Sequence, residues 1–402
     1  MSVEVHGDVD AGYGAVADEF RRNFAERKEL GAACAVVRDG ELVVDLWGGH
    51  RDKKRTKPWR RDTLVTVWST TKGMSAAAMA VAHSRGLFDL DERVAAYWPE
   101  FAQAGKGAIT VRQLLEHEAG LAVIDRPLDL EILGAPDRLG AVLAAQKPSW
   151  KPGSARGYHA QSLGWYESQL LRRVDPAGRT IGRYFADEVA APLGIEFHIG
   201  LPSSVSPDRV ATFVGGSKTG MALHFREVPF AVLRRMMNPR SLTFKAFTNP
   251  RAVTKLDDIN TPGLLDIELP SVNGTGTARA LATVYGDLAT GGAKLGLTPG
   301  TFAELERRQP PAPDLIFGIE SAFRFGFMKP FPILPFGSSA RAFGHTGSGG
   351  SFAYADPDTG IAYAYAMNRN GYGLPTDPRE IALRDALDVL GRQVGVSRLM
   401  GV

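Results

Sequence analysis

The sequence predicts an α+β fold in which helices flank one antiparallel sheet. Three observations carry that expectation. Hairpin signals stand near both ends of the chain, amphipathic helices lie outside them, and the long middle reads as helices and loops.

The first helix lies within GYGAVADEFRRNFAERKELG, where Tyr13, Val16, Phe20 and Phe24 share one face and Gly31 offers a stop. AACAVVRDGELVVDLWGG then reads as two strands turning at Asp39-Gly40, a strong hairpin signal. Near the other end, GSFAYADPDTGIAYAYAMN reads as a second hairpin, turning between Asp356 and Gly360. PREIALRDALDVLGRQV closes the pattern as an amphipathic helix, with Ile381, Leu383, Ala386, Leu387 and Leu390 largely on one side. Residues 1–85 and 275–402 are thereby expected to form a mixed α/β sheet region. Residues 86–274 read as a mostly helical insertion, the two parts making one integrated catalytic unit. Within the insertion, TVRQLLEHEAG begins at a Thr110 cap and ends at Gly120, and TIGRYFADEVAAPLG begins at Thr180 and is stopped by Pro192. The Pro-, Asn- and Gly-rich stretches 198–220 and 238–276 read as long loops.

Composition narrows the function. With 402 residues, 44% apolar and 23% charged, this is an ordinary globular chain able to bury a substantial core. A net charge of +3 without basic runs argues against a polyanion binder, so no nucleic-acid partner is expected. No stretch has the length of a membrane span, and the opening MSVEVHGDVD has neither a basic n-region nor an apolar h-region. No membrane partner and a cytoplasmic setting are the expectation. The single cysteine, Cys34, excludes an internal disulfide and, inside AACAVV, reads as a buried small side chain.

The chemistry centres on VTVWSTTKGM. Ser69 and Lys72 sit at i and i+3, which share a helical face, and a serine needs a nearby proton acceptor to become a nucleophile. The following GMSAAAMAVAHSRG is small and apolar, so the helix can be deeply buried, where an unused lysine would be costly. Two companions support the pair. In WKPGSARGYHAQSLGW, Tyr158 stands at a loop–helix junction, where a phenol near a lysine can act as base or pass a proton to a leaving group. In AFGHTGSGGSFAYADP, glycines beside a strand leave N–H groups free for a developing oxyanion. Rival machinery is absent: there is no G-x-S-x-G, no H-E-x-x-H and no G-x-x-x-x-G-K-[ST]. NGTGTARA follows no convincing strand and lacks a phosphate-binding lysine. His117 and His159 read as hydrogen-bonded structural histidines. Neither metal nor cofactor is expected. The apolar, Met-rich FAVLRRMMNPRSLTFKAF reads either as a lining or lid of an acyl pocket or as plain core.

The order Ser69-x-x-Lys72, Tyr158, His345-Thr346-Gly347 resembles the serine β-lactamase and penicillin-recognising superfamily, most closely its class C-like family VIII esterases. The likeness extends through VRQLLEHEAGL, VAAPLGIEFHIGLP and LPSVNGTGTARALATVYGDLA. It implies a three-layer αβα fold with the active site where sheet and helical region meet. It implies Ser69 as nucleophile, Lys72 and Tyr158 as its proton-handling pair, the N–H groups of Ser69 and Ser348 as oxyanion hole, and His345, Thr346 and Gly347 as substrate-binding residues. Two departures qualify it. Class C β-lactamases carry Y-x-N and K-T-G where this chain has Tyr158-His159-Ala160 and His345-Thr346-Gly347. Losing the lysine that meets a bound carboxylate costs a few kcal/mol, roughly two orders of magnitude in binding. The expected activity is hydrolysis of small or medium uncharged carboxylic esters, with acyl transfer to alcohols as a variant of its second step. Amide hydrolysis (β-lactam, D-peptide or ω-amino-acid oligomer) is the alternative, and a catalytically silent binding protein on the same fold the third reading.

Overall fold

A computed structural model describes residues 3–216, 230–373 and 377–387. In chain order the strands are β1 (Val5–Val9), β2 (Gly31–Arg38), β3 (Glu41–Gly49), β4 (Val65–Thr66), β5 (Phe197–His198) and β6 (Thr275–Gly276). There follow β7 (Ala312–Pro313), β8 (Glu320–Ser321), β9 (Phe323–Arg324), β10 (Phe327–Met328), β11 (Phe343–Thr346), β12 (Phe352–Asp356) and β13 (Ile361–Met367). Eight of them form one antiparallel sheet in the order β1-β3-β2-β13-β12-β11-β10-β9. The two ends of the chain meet at its centre, where Tyr365 of β13 faces Cys34 of β2.

Both hairpins form as their turn residues dictate. Asp39 and Gly40 have φ of 49° and 88°, the left-handed pair a two-residue turn demands. Every residue of β13 is buried, so both faces of the sheet are covered there. Helix α1 (Gly14–Ala25) packs on β1 and β3. The helix over 378–387 joins α1 where Asn23 Nδ2 donates to the Arg379 carbonyl at 3.1 Å. Helix α5 (Ala278–Ala289) lies across β12, β13 and β2. Gly286 lets it sit close: a Cβ there would stand 2.5 Å from Val37 Cγ1. Helix α2 (Thr71–Ser84) is buried from Thr71 to Ala82 and packs against α5, against α4 (Ser162–Val174) and against the helix that starts at Ile181. Its run of Gly, Ser and Ala lets neighbours approach from every side. Among the described residues no helix is long and apolar enough to cross a membrane.

Several boundaries differ from expectation, each for a local reason. Helix α1 ends at Ala25, and the left-handed turn falls on Lys28 (φ 57°), not on Gly31, which opens β2. The Thr110 helix α3 (Val111–Leu115) has its capping box with Gln113 but stops at Leu115, because His117 is left-handed (φ 63°). The helix after Thr180 is capped by Glu268, which accepts from Thr180 Oγ1 and the Gly182 N–H, rather than by the threonine itself. A π turn over Ala186–Ala190 precedes Pro192, which is accommodated inside the last turn; Gly194 (φ 62°) ends the helix. The stretch 238–276 is not all loop: Ser241 Oγ caps a helix over Leu242–Thr248, accepting from the Phe244 N–H at 3.0 Å. NGTGTARA contains β6, which pairs with β4 and β5. Leu390 and residues 217–220 lie outside the described residues.

Candidate active site

The turn that carries Ser69 begins in β4. The chain reverses at Trp68, whose φ of 50° is unfavourable for a side chain of that size by roughly 1–2 kcal/mol. The indole is held edge-on to Phe213, with centroids 5.5 Å apart. Ser69 follows in a single 3₁₀ turn, Trp68–Thr70, that runs straight into α2. The serine is half-buried at the N-terminal end of a buried helix, where the peptide dipoles favour negative charge.

Lys72, one turn on, is wholly buried. Its Nζ lies 2.7 Å from the Ala160 carbonyl, 3.1 Å from the Ser271 carbonyl and 3.3 Å from Ser69 Oγ. Burial pushes this amine down from 10.5 to about 7, against a smaller upward pull from Glu167. Gly73 makes room for the neighbouring packing, since a Cβ there would lie 1.9 Å from the Tyr285 hydroxyl.

Tyr158 closes the third side. Its phenol faces the Ser69 side chain, and Lys72 Nζ stands 4.8 Å from its ring centroid. Burial raises the phenol well above its ordinary range, so it is a neutral O–H at physiological pH rather than a standing phenolate. The ring is stacked on Phe317 (4.6 Å) and Phe323 (5.5 Å). Its N–H donates to the buried Asp314 carboxylate, at 3.2 Å to Oδ1 and 3.1 Å to Oδ2, which also takes the Ile316 and Phe317 N–H groups. One carboxylate thus fixes the tyrosine's backbone and the loop that carries Phe317.

The loop after β11 presses on the turn that carries Ser69. Ser351 Oγ donates to the Val67 carbonyl at 2.7 Å and lies 3.0 Å from Thr70 Oγ1. Gly347 is forced by that approach, because a Cβ would stand 2.2 Å from the Val67 carbonyl oxygen. Ser348, next in sequence, is half-buried. Among the described residues no backbone carbonyl takes the N–H of Ser69 or of Ser348. Thr346 donates through Oγ1 to Met328 Sδ at 3.7 Å. His345 is wholly buried, with Nδ1 2.7 Å from the Thr346 carbonyl. Burial, with the neighbouring Lys72, pushes its imidazole down to about 3, so it is neutral throughout the physiological range.

Ser69, Lys72 and Tyr158 therefore meet, with the 345–348 loop beside them. His117 and His159 behave as structural groups: the His159 N–H donates to His117 Nδ1 at 2.9 Å, and His159 Nε2 accepts from the Leu121 N–H at 2.9 Å. The Met-rich segment is not plain core. It holds a helix over Phe230–Met236 with Phe230 and Met237 exposed, then Phe247, whose ring lies 6.4 Å from Tyr158. Sequence reasoning missed the carbonyls of Ala160 and Ser271, the anchor Asp314, and Glu167. A backbone acceptor leaves no mark in side-chain identity; Glu167 could have been noticed as an acid on the inward side of α4. Among the described residues no group of three or more His, Cys, Asp or Glu could hold a metal ion.

A serine on the N-terminal turn of a buried helix, with a lysine and a tyrosine against its hydroxyl, defines the penicillin-recognising class of serine acyl-transfer folds. The family model described as Beta-lactamase matches residues 17–387, and the chain belongs to that family. It is 34% identical over 376 residues to Esterase/beta-lactamase LipL of Mycobacterium tuberculosis, covering 91% of this chain and 83% of the relative. A family VIII carboxylesterase crystal structure matches with a TM-score of 0.84 at 36% identity, covering 96% of this chain and 100% of the other. A penicillin-binding protein homologue from Caulobacter crescentus matches with a TM-score of 0.85 at 38% identity, over 96% of this chain and 100% of its own.

Proposed function

We propose that the protein is a serine carboxylesterase that cleaves small or medium uncharged esters through an acyl-enzyme on Ser69. The observation that carries the reading is Lys72 Nζ standing 3.3 Å from Ser69 Oγ, with the Tyr158 phenol facing the same serine. As a free amine, Lys72 keeps two N–H groups for the Ala160 and Ser271 carbonyls and turns its lone pair towards Ser69. Ser69 Oγ attacks the acyl carbon as Lys72 takes its proton, and the oxyanion settles between the N–H groups of Ser69 and Ser348. Collapse breaks the ester C–O bond. The departing alkoxide takes the Tyr158 proton while Lys72 returns its own to the tyrosine oxygen, so the alcohol leaves and both side chains are reset. Water then repeats the sequence on the acyl-enzyme and releases the acid.

Ester rather than β-lactam chemistry is favoured by position 345, where a neutral imidazole stands in place of a carboxylate-binding cation. The half-buried rings of Phe247 and Phe317 beside Tyr158 suit an apolar group. The family VIII carboxylesterase points the same way by its name, while LipL is named for both esterase and β-lactamase. A cytoplasmic setting suits the single, buried Cys34. Hydrolysis of p-nitrophenyl butyrate by the purified protein, with Ser69→Ala as blank, tests the reading. Turnover with the blank silent is expected; undiminished activity in Ser69→Ala would refute it.

A further inference from the structure

The reaction as derived leaves one buried acid unused. Glu167, on α4, is wholly buried, and neither carboxyl oxygen has a hydrogen-bond partner among the described residues. It fills a slot between α2 and the Gly326 turn: a Cβ on Gly326 would stand 3.1 Å from Ala76 Cβ and 3.3 Å from Glu167 Oε1. Ala76 lies one turn beyond Lys72 on the same face of α2, so the carboxyl stands near the face of α2 that carries the amine. Such a group is costly to bury without donors, and an apolar side chain of equal length would fill the slot without that cost.

The charges around it are few. Among the described residues, Lys72 is the one charged group that acts on Glu167, and Glu167 the one that acts on Lys72. The other titratable groups facing the amine come from separate elements. They are Tyr158 and His159 from the loop before α4, His117 from the turn after α3, and His345 from β11. The phenol and all three imidazoles are held neutral by burial. Burial also pushes the Glu167 carboxyl up, to about 8, against the pull of Lys72. The acid and the amine therefore exchange protons over the same range near neutrality.

We infer that Glu167 is a positioning residue for the proposed reaction: by holding or releasing one proton opposite Lys72, its carboxyl sets the pH at which that amine is free to act as base. When the pair holds one proton and Glu167 carries it, the amine is neutral and its lone pair is available. While the pair shares a single proton, ionised Glu167 favours that proton on Nζ, and the base is occupied until the proton is lost at higher pH. The inference rests on the reading of Lys72 as the base.

The test is the pH profile of kcat/KM for p-nitrophenyl butyrate, from pH 5 to 9, in wild type, Glu167→Gln, Glu167→Met and Lys72→Ala. Both neutral replacements remove the charge that favours protonated Lys72, so the acid limb moves to lower pH. A shift of about half a unit raises relative activity, one unit below the wild-type midpoint, about threefold. Lost packing lowers the plateau and leaves the limb where it was. Should Glu167→Gln fail to fold, Glu167→Met carries the same expectation. A limb unmoved in the folded variants, with Lys72→Ala inactive, overturns the role of Glu167 alone. Wild-type activity in Lys72→Ala overturns the reading of the base, and this inference with it.

Discussion

Replacing Lys72 with methionine is expected to abolish activity and change how stability responds to alkali. An exposed lysine amine titrates at 10.5, and this one at about 7 because it is wholly buried. Between those values the unfolded chain binds a proton that the native protein does not, so native stability rises with pH across that window. Linkage puts the penalty for keeping the amine neutral at about 3 kcal/mol at pH 8 and about 1 kcal/mol at pH 10. The wild type thus gains about 2 kcal/mol over that interval from this residue alone, and Lys72→Met cannot. Glu167 works in the opposite sense below pH 8, where the native carboxyl holds a proton the unfolded one gives up, so the comparison starts there. Freed of Lys72, that carboxyl titrates higher still in the variant and widens the gap. Urea unfolding at pH 8, 9 and 10, followed by tryptophan fluorescence, measures the divergence. Parallel stability curves for the two proteins would show that the amine is not desolvated, and the argument for a free base would go with them.

Wild-type kcat/KM should carry an acid limb near pH 7, so that the value at pH 6 falls about tenfold below that at pH 8; a flat profile excludes Lys72 as the titrating base. Tyr158→Phe keeps the stack on Phe317 and Phe323 but removes the proton carrier, so kcat should drop by about 10²–10⁴ with an unchanged melting curve. Arg379→Met strips the partner from buried Glu29, bonded at 2.8 Å, and the support from the Gly349 carbonyl at 2.9 Å. It should cost about 3–5 kcal/mol by urea unfolding.

What could be read from the residues is what short-range chemistry specifies. The two hairpins announce themselves because Asp-Gly and the Asp356–Gly360 turn leave the backbone few choices, and the buried helix because a run of small residues carries one lysine. The meeting of Ser69 with Lys72 is legible because they are one turn apart. Tyr158 is legible only through its motif, since nothing local brings residue 158 to residue 69. The misplaced boundaries share another cause, a tertiary contact overriding a local signal. Thr180 looks like a cap, but Glu268 supplies the oxygen from 88 residues away. TVRQLLEHEAG looks helical to its glycine, yet His117 turns left-handed, and its ring nitrogen takes the His159 N–H. Asp314 carries no signature at all, being one acid in a proline-rich loop until the fold sets it against the Tyr158 N–H.

The neutrality of the site bears on which substrates it can use. Tyr158, His345, His117 and His159 are all held uncharged by burial, and Lys72 must be uncharged to serve as the proposed base. A substrate bearing a carboxylate near this centre is therefore opposed twice. It gives up its hydration, and position 345 supplies no fixed cation to replace it. Once inside, its charge would draw a proton onto Lys72, as an ionised Glu167 does, and disable the base it needs. An uncharged acyl ester meets neither obstacle. On the proposed reading, a neutral His345 also leaves the proton balance of the Lys72–Glu167 pair undisturbed by a second fixed charge among the described residues.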